Sequence, residues 1–458
     1  MKYPRQDVHI VCLTGYCWSA AMGQLTFHSE TERHEWLRSQ ADLPAGFKAG
    51  VTSFTFKPRE MNTTARMNLT LLTCDPPTEK FAAVFTRNAF PGAPVTIGRE
   101  RLKEKKLGAV LVNNKISNVG APDGVKNAET VCAAVAAALG IDPRAVLPGS
   151  TGVIGWRLPA EEIVAAVPAL VKTCQDQSVL PAAEAIMTTD LYPKVRSVTI
   201  GDGRIVGIAK GAGMIEPNLA TMLVYILTDV DVSRNDLRDC LARAVEESFN
   251  AISIDSDQST SDTVVLISSG KAPCPDLEAF AHGLNSVCRK LAADIVRNGE
   301  GVKHVIRVTV TGAPDMIIAK GVGKSVINSP LVQCAVAGND PNVGRVLMAV
   351  GKFIGNEHPD INAENCSISI GGQTVFANGV FQLDPDRETV LRAHLESAQL
   401  YESDPPDARG VFTPPVRFPP HEKTVDICVD LGCGGARFTV LGADRTHEYI
   451  SENADYRS

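Results

Sequence analysis

The sequence has no basic excess: 45 Lys and Arg stand against 52 Asp and Glu, a formal net charge of −7. Nucleic-acid binding leaves a positive footprint that is missing here, so no nucleic-acid partner is expected. No apolar run approaches the roughly 18 residues of a membrane span, so no membrane partner is expected either. The 12 cysteines and 9 histidines form no C-x-x-C and no H-E-x-x-H. Zinc and redox sites therefore lack their usual ligand spacing, no metal is expected, and the cysteines read as buried, reduced thiols. Gly323-Lys324-Ser325 ends like a phosphate-binding loop, but Ile318 stands where that loop begins with glycine. An ordinary turn is expected there. Gly432-Cys433-Gly434-Gly435 fails as a dinucleotide loop because Arg437 takes the place of its last glycine. There is no G-x-S-x-G elbow and no internal repeat, which sets aside serine hydrolases of that type, solenoids and propellers.

What is present is a globular composition, 44% hydrophobic and 21% charged. Helical spacing marks Asn127–Leu139, stopped by Gly140, and Pro159–Cys174. Ser233–Phe249 opens on a Ser233/Asp236 capping pair, and Leu237, Cys240, Leu241, Ala244, Val245 and Ser248 form one stripe. Asp276–Arg297 repeats that pattern. Short β-branched runs at Met222–Leu227, Thr263–Ile267 and Val305–Val310 read as strands. Two of them are apolar throughout, which predicts sheets covered on both faces. The mixture predicts an α/β (α+β) layered fold. Residues 1–44 read as a variable N-terminal extension, with a weak leader-like run at Val8–Met22. The proline-rich 404–420 segment reads as an exposed insertion.

The informative segment is Lys210-Gly211-Ala212-Gly213 followed by Met214-Ile215-Glu216-Pro217-Asn218-Leu219-Ala220-Thr221-Met222-Leu223. By itself it is a glycine-rich turn and a proline-marked loop entering a strand, and nothing in it singles out Thr221. The segment resembles the self-cleavage signature of the ornithine acetyltransferases. Further blocks match that family in order: Pro148–Gly155, Ala185–Asp190, Ser248–Asn250, Ser259–Thr263, Gly299–Gly301, Asp340–Arg345 and Asn453–Ser458. Any one would be weak; together they make coincidence improbable. Departures include Val343 in place of a tryptophan and Asp255–Gln258 in place of D-G-D-T.

The resemblance implies an αββα-like sandwich of the ornithine acetyltransferase and N-terminal-nucleophile aminopeptidase type. It implies cleavage between Ala220 and Thr221, giving an alpha chain (45–220) and a beta chain (221–458). Thr221 would be the nucleophile, and Thr151 and Gly152 the oxyanion donors. Thr188, Lys210, Thr221, Glu300, Asn453 and Ser458 would bind substrate. Acetyl would pass from N-acetylornithine to glutamate in arginine biosynthesis. No cofactor is implied, with acetyl-CoA left open as a second donor. The assembly would be a heterotetramer in the cytoplasm, or in mitochondria for a eukaryotic source. Two competing readings are an N-terminal-nucleophile aminopeptidase or amidohydrolase, passing the acyl group to water, and a non-catalytic relative that stays whole.

Overall fold

An apolar run without polar alternation needs cover on both sides, and the strand Leu223–Val230, buried at every position, has it. The computed structural model describes residues 25–216, 222–415 and 418–454. In it, Leu223, Tyr225 and Leu227 enter one core while Val224 and Ile226 enter another. The strand Thr263–Ala272 runs parallel alongside. It sorts Val265 and Ile267 to the first core, and Val264 and Leu266 to the second. The two-residue period of a strand does this sorting.

These two strands lie inside a five-stranded sheet, ordered Phe81–Phe85, Thr263–Ala272, Leu223–Val230, Gly203–Lys210, Lys194–Ile200. A four-stranded sheet shares its inner core through Phe47, Leu72, Val110 and Leu147. That sheet is ordered Phe47–Phe56, Ala65–Thr78, Leu107–Asn113, Val146–Ser150. Its outer face is covered by helices Gly124–Leu139 and Ala160–Lys172, with Val131, Val135, Ile163 and Val167 against Leu69 and Leu71. Helices Arg234–Glu246 and Leu277–Arg297 cover the outer face of the five-stranded sheet. The layers run helix, sheet, sheet, helix, the expected sandwich.

Helix ends follow their caps. Asp236 N–H donates to Ser233 Oγ (3.2 Å) and Ala279 N–H to the Asp276 carboxylate (3.0 Å). Gly140 ends its helix in the left-handed region, at φ 69°.

A second body is built on a seven-stranded sheet, of which the sequence reveals only Val305–Val310, within the strand Val305–Ala313. Its other members include Val425–Asp430 and Ala436–Ala443, covered by helices Met316–Ile327, Val343–Glu357 and Pro385–Ala398. The Gly323-Lys324-Ser325 segment lies near the C-terminal end of the helix Met316–Ile327 here, not in a turn. Ile318, Val322 and Val326 give that helix its buried stripe. At Gly323 a Cβ would come 2.7 Å from Val440, so glycine lets the helix approach the sheet.

Within the 1–44 stretch, Glu30–Gln40 is a helix with Leu37 buried; Val8–Met22 lies outside the described residues. The described part of 404–420 has no helix or strand and is mostly exposed. Ten described cysteines are free thiols, and Cys334 and Cys433 are exposed rather than buried. Among the described residues no helix is long and apolar enough to cross a membrane.

Candidate active site

Several chain connections meet at one end of the sandwich. The strand Val146–Ser150 ends there, Gly203–Lys210 ends there, and Leu223, paired with Lys210, begins there. Between them lies a cavity of about 290 Å³, near the lower limit for ligand pockets. Thr151, Gly152, Thr188, Lys210, Glu300 and Asn453 all line it. They come from five separate stretches of sequence. Ala220, Thr221 and Ser458 fall outside the described residues; Met222 and Leu223 line the same cavity.

Thr151 and Gly152 follow directly on the strand Val146–Ser150 and are held against the 113–118 loop. Thr151 N–H donates to Asn113 O (3.1 Å), Val153 N–H to Lys115 O (2.9 Å) and Ser117 N–H to Val153 O (3.1 Å). The Asn113 side chain ties both loops: it accepts from Ser150 Oγ (2.6 Å) and donates to Ile116 O (2.8 Å). Gly152 sits at φ 123°, and a Cβ there would meet the backbone of Lys115 and Ile116. Only glycine fits. Among the described residues nothing accepts from Gly152 N–H, and no hydrogen bond engages the Thr151 hydroxyl. Two donors beside a cavity can bind a developing negative charge.

Lys210 is half-buried and takes part in no ion pair among the described residues. Such a cation favours an anionic ligand. Below it lies Asp190, fully buried, which accepts from Gly211 N–H (2.8 Å), Thr188 N–H (3.1 Å) and Lys194 Nζ (2.6 Å). Burial opposes its ionisation. The charges of Lys194 and Lys210 outweigh that, holding the carboxyl well below its ordinary range.

Glu300 is 8% exposed, a buried carboxylate at the cavity wall. Asn453 Nδ2 donates to its Oε2 (2.9 Å), and Gly213 packs so closely that a Cβ would overlap the carboxylate. Asn453 rides on the helix His447–Ala454; Thr446, just before that helix, donates through Oγ1 to Gly301 O (2.6 Å). Beside it, burial and then the Glu300 charge push the Glu452 carboxyl up to about 7.

The turn entering the 217–221 segment is also fixed. Asp255 accepts from Met214 N–H (2.7 Å) and Ile215 N–H (2.8 Å). Glu216 is bonded by Asn328 (3.0 Å) and paired with Lys324 (3.3 Å). Sequence reasoning missed Asn113, Asp190, Lys194, Asp255 and Lys324 as parts of the site. For Asp190 the signal was at hand, since it closes the matched block Ala185–Asp190. Among the described residues no group of three or more His, Cys, Asp or Glu is placed to hold a metal ion.

Comparison with known proteins is consistent across the chain. A family model described as the ArgJ family matches residues 51–458. Arginine biosynthesis bifunctional protein ArgJ 2 of Clostridium acetobutylicum is 36% identical over 376 residues, covering 82% of this chain and 89% of that protein. Glutamate N-acetyltransferase Oat2 of Streptomyces clavuligerus is 38% identical over 379 residues, again covering 82% and 89%. Among solved structures, the ornithine acetyltransferase of Mycobacterium tuberculosis complexed with ornithine is 34% identical. It covers 40% of this chain and 98% of that one, with a TM-score of 0.35.

Proposed function

We propose, from the premise that this chain belongs to the ArgJ family, that it transfers acetyl from N-acetylornithine to glutamate after cutting itself before Thr221. It is an acyltransferase of arginine biosynthesis. The observation that carries the reading is the convergence on one cavity of six residues expected to act together.

In this reading Thr221 Oγ attacks the carbonyl carbon of Ala220. The amide C–N bond breaks as an ester to Oγ forms, and water hydrolyses that ester. A carboxylate remains on Ala220, and a free α-amine and a free hydroxyl on Thr221. An α-amine has a pKa of about 7.7–8.0, so part of it is neutral near pH 7 and can take the hydroxyl proton. An internal threonine has no such base, which is why cleavage comes first. Thr221 then attacks the acetyl carbonyl of N-acetylornithine, ornithine leaves with the returned proton, and glutamate takes the acetyl from the ester. The Thr151 hydroxyl and Gly152 N–H stabilise the oxyanion at each step. Lys210 and Thr188 receive the substrate carboxylate, and Glu300, braced by Asn453, receives an ammonium. Ser458 completes the binding set. The chain supplies nucleophile, base and donors itself, and acetyl-CoA enters only as an alternative acetyl donor. The two chains remain together, two copies of each, in the cytoplasm.

Mass spectrometry of the purified protein, with turnover of N-acetylornithine with and without glutamate, tests this. A fragment beginning at residue 221 and glutamate-dependent acetyl transfer are expected. An uncut chain that still transfers acetyl refutes the nucleophile. Acetate release that ignores glutamate would instead assign the protein to the hydrolases.

A further inference from the structure

Three of the site residues hang on one buried ion pair. The side chains of Lys194 and Asp190 are both 0% exposed. Lys194 begins the strand Lys194–Ile200, paired with Ala209 next to Lys210. Its Nζ donates to Asp190 Oδ1 (2.6 Å) and to Asn298 Oδ1. Asp190 in turn accepts from the backbone of Thr188 and of Gly211. Asn298, 104 residues along the chain from Lys194, stands two positions before Glu300. One ammonium is thus connected through single intermediaries to the segments that carry Thr188, Lys210 and Glu300.

Stability alone is a poor reason for this arrangement. Taking two charges out of water opposes most of what their attraction returns, and apolar side chains of equal volume often serve a core as well. What apolar packing lacks is direction: charge-assisted hydrogen bonds fix distance and angle. That property matters where two recognition groups must sit at a set separation.

We propose that Lys194 is a positioning residue. Through Asp190 and Asn298 it sets the spacing between the end of the site that receives the substrate carboxylate (Thr188, Lys210) and the end that receives the ammonium (Glu300). The inference rests on the transferase reading above. Thr151 and Gly152 hang on Asn113 and Lys115 instead, so loosening Lys194 leaves the oxyanion donors in place. Its loss therefore weakens substrate binding more than it slows the acyl step.

The test uses full-length, self-cleaved protein carrying Lys194→Met or Asn298→Ala, with KM and kcat measured for N-acetylornithine and for glutamate. Each variant is expected to raise both KM values by about tenfold or more, with kcat within about threefold, the scale of one lost well-placed hydrogen bond. Asn298→Ala is expected to add little in a Glu300→Gln background, because Asn298 acts on that end of the site alone. Unchanged KM values with only a lower melting temperature would overturn the proposal, as would additive effects in the double variant. Asn298→Ala leaves the ion pair whole, so it decides the matter if Lys194→Met does not fold: an unchanged KM there overturns the proposal too. Wild-type protein that moves no acetyl group sinks the transferase reading instead, a separate failure.

Discussion

Replacing Gly152 by alanine tests the backbone behind the oxyanion assignment. A φ of 123° is a region that L side chains avoid, and forcing one into it costs about 1–3 kcal/mol. The added methyl would stand 2.7 Å from Ile116 N and closer still to the Lys115 carbonyl. Both obstacles are backbone, and Val153 N–H to Lys115 O and Ser117 N–H to Val153 O pin that backbone in place. No side chain can swing aside, so the 151–153 turn must move bodily. An oxyanion donor acts only within about 2.7–3.1 Å of the oxygen, and losing one lowers kcat by about 10²–10³. That is the expected loss for Gly152→Ala, alike in both half-reactions, with KM within about threefold. The proposed self-cleavage would develop an oxyanion as well, so precursor should accumulate, and a time course on denaturing gels reads it. Turnover and cleavage within about threefold of wild type would refute both the donor role and the rigid registry of the two loops, whatever the melting temperature does.

Lys210→Met removes from the cavity wall a cation that has no ion-pair partner among the described residues. It is expected to raise KM for both amino acids by about ten- to a hundredfold, the scale of a charge-assisted hydrogen bond; steady-state kinetics with unchanged KM would refute the carboxylate role. Glu452, raised to about 7, holds its proton more tightly folded than unfolded. Its contribution to docking the helix His447–Ala454 is full below the ordinary glutamate pKa of about 4.3 and is lost as pH rises through about 7. Hydrogen exchange in that helix, corrected for intrinsic rates, should quicken between about pH 6 and 8 in wild type and stay flat in Glu452→Gln. An identical slope in both proteins contradicts this. The Tyr225 hydroxyl is buried without a hydrogen-bond partner among the described residues. Tyr225→Phe should be neutral or stabilise by up to about 1 kcal/mol in urea denaturation; a loss larger than that would mean the hydroxyl has a partner.

The layered α/β core, whose arrangement as a sandwich was implied by the family resemblance, was legible because its central strands are apolar on both faces and its helices announce their ends. Ser233, Asp276 and Gly140 do so with local chemistry that sequence carries openly. The seven-stranded sheet was not legible. Members such as Ser367–Ile370 and Gln373–Ala377 are short and only half-buried, so they leave no long apolar run. Lys324 looked like a turn residue because glycine and serine flank it; tertiary packing against Val440 overrode that local preference. Within the site, the residues found all lie in matched motifs, and residues acting across the fold were missed, Asp190 among them although it closes one of those motifs. Lys194 gains its meaning from Asn298, and Asp255 from Met214 and Ile215; no spacing within one segment encodes such pairs.

The strands Gly203–Lys210 and Leu223–Val230 are joined edge to edge over six register pairs, from Ile205–Thr228 to Lys210–Leu223. A cut before Thr221 would place them on different polypeptides without parting them. Folding would then happen once as a single chain, before the cut, when the connection is short and the partner strand close at hand. After scission, any fully unfolded molecule must find its other half by diffusion, so recovery becomes dependent on concentration. The mature enzyme would then be long-lived through slow opening rather than through easy return, and dilution after denaturation would make its loss permanent.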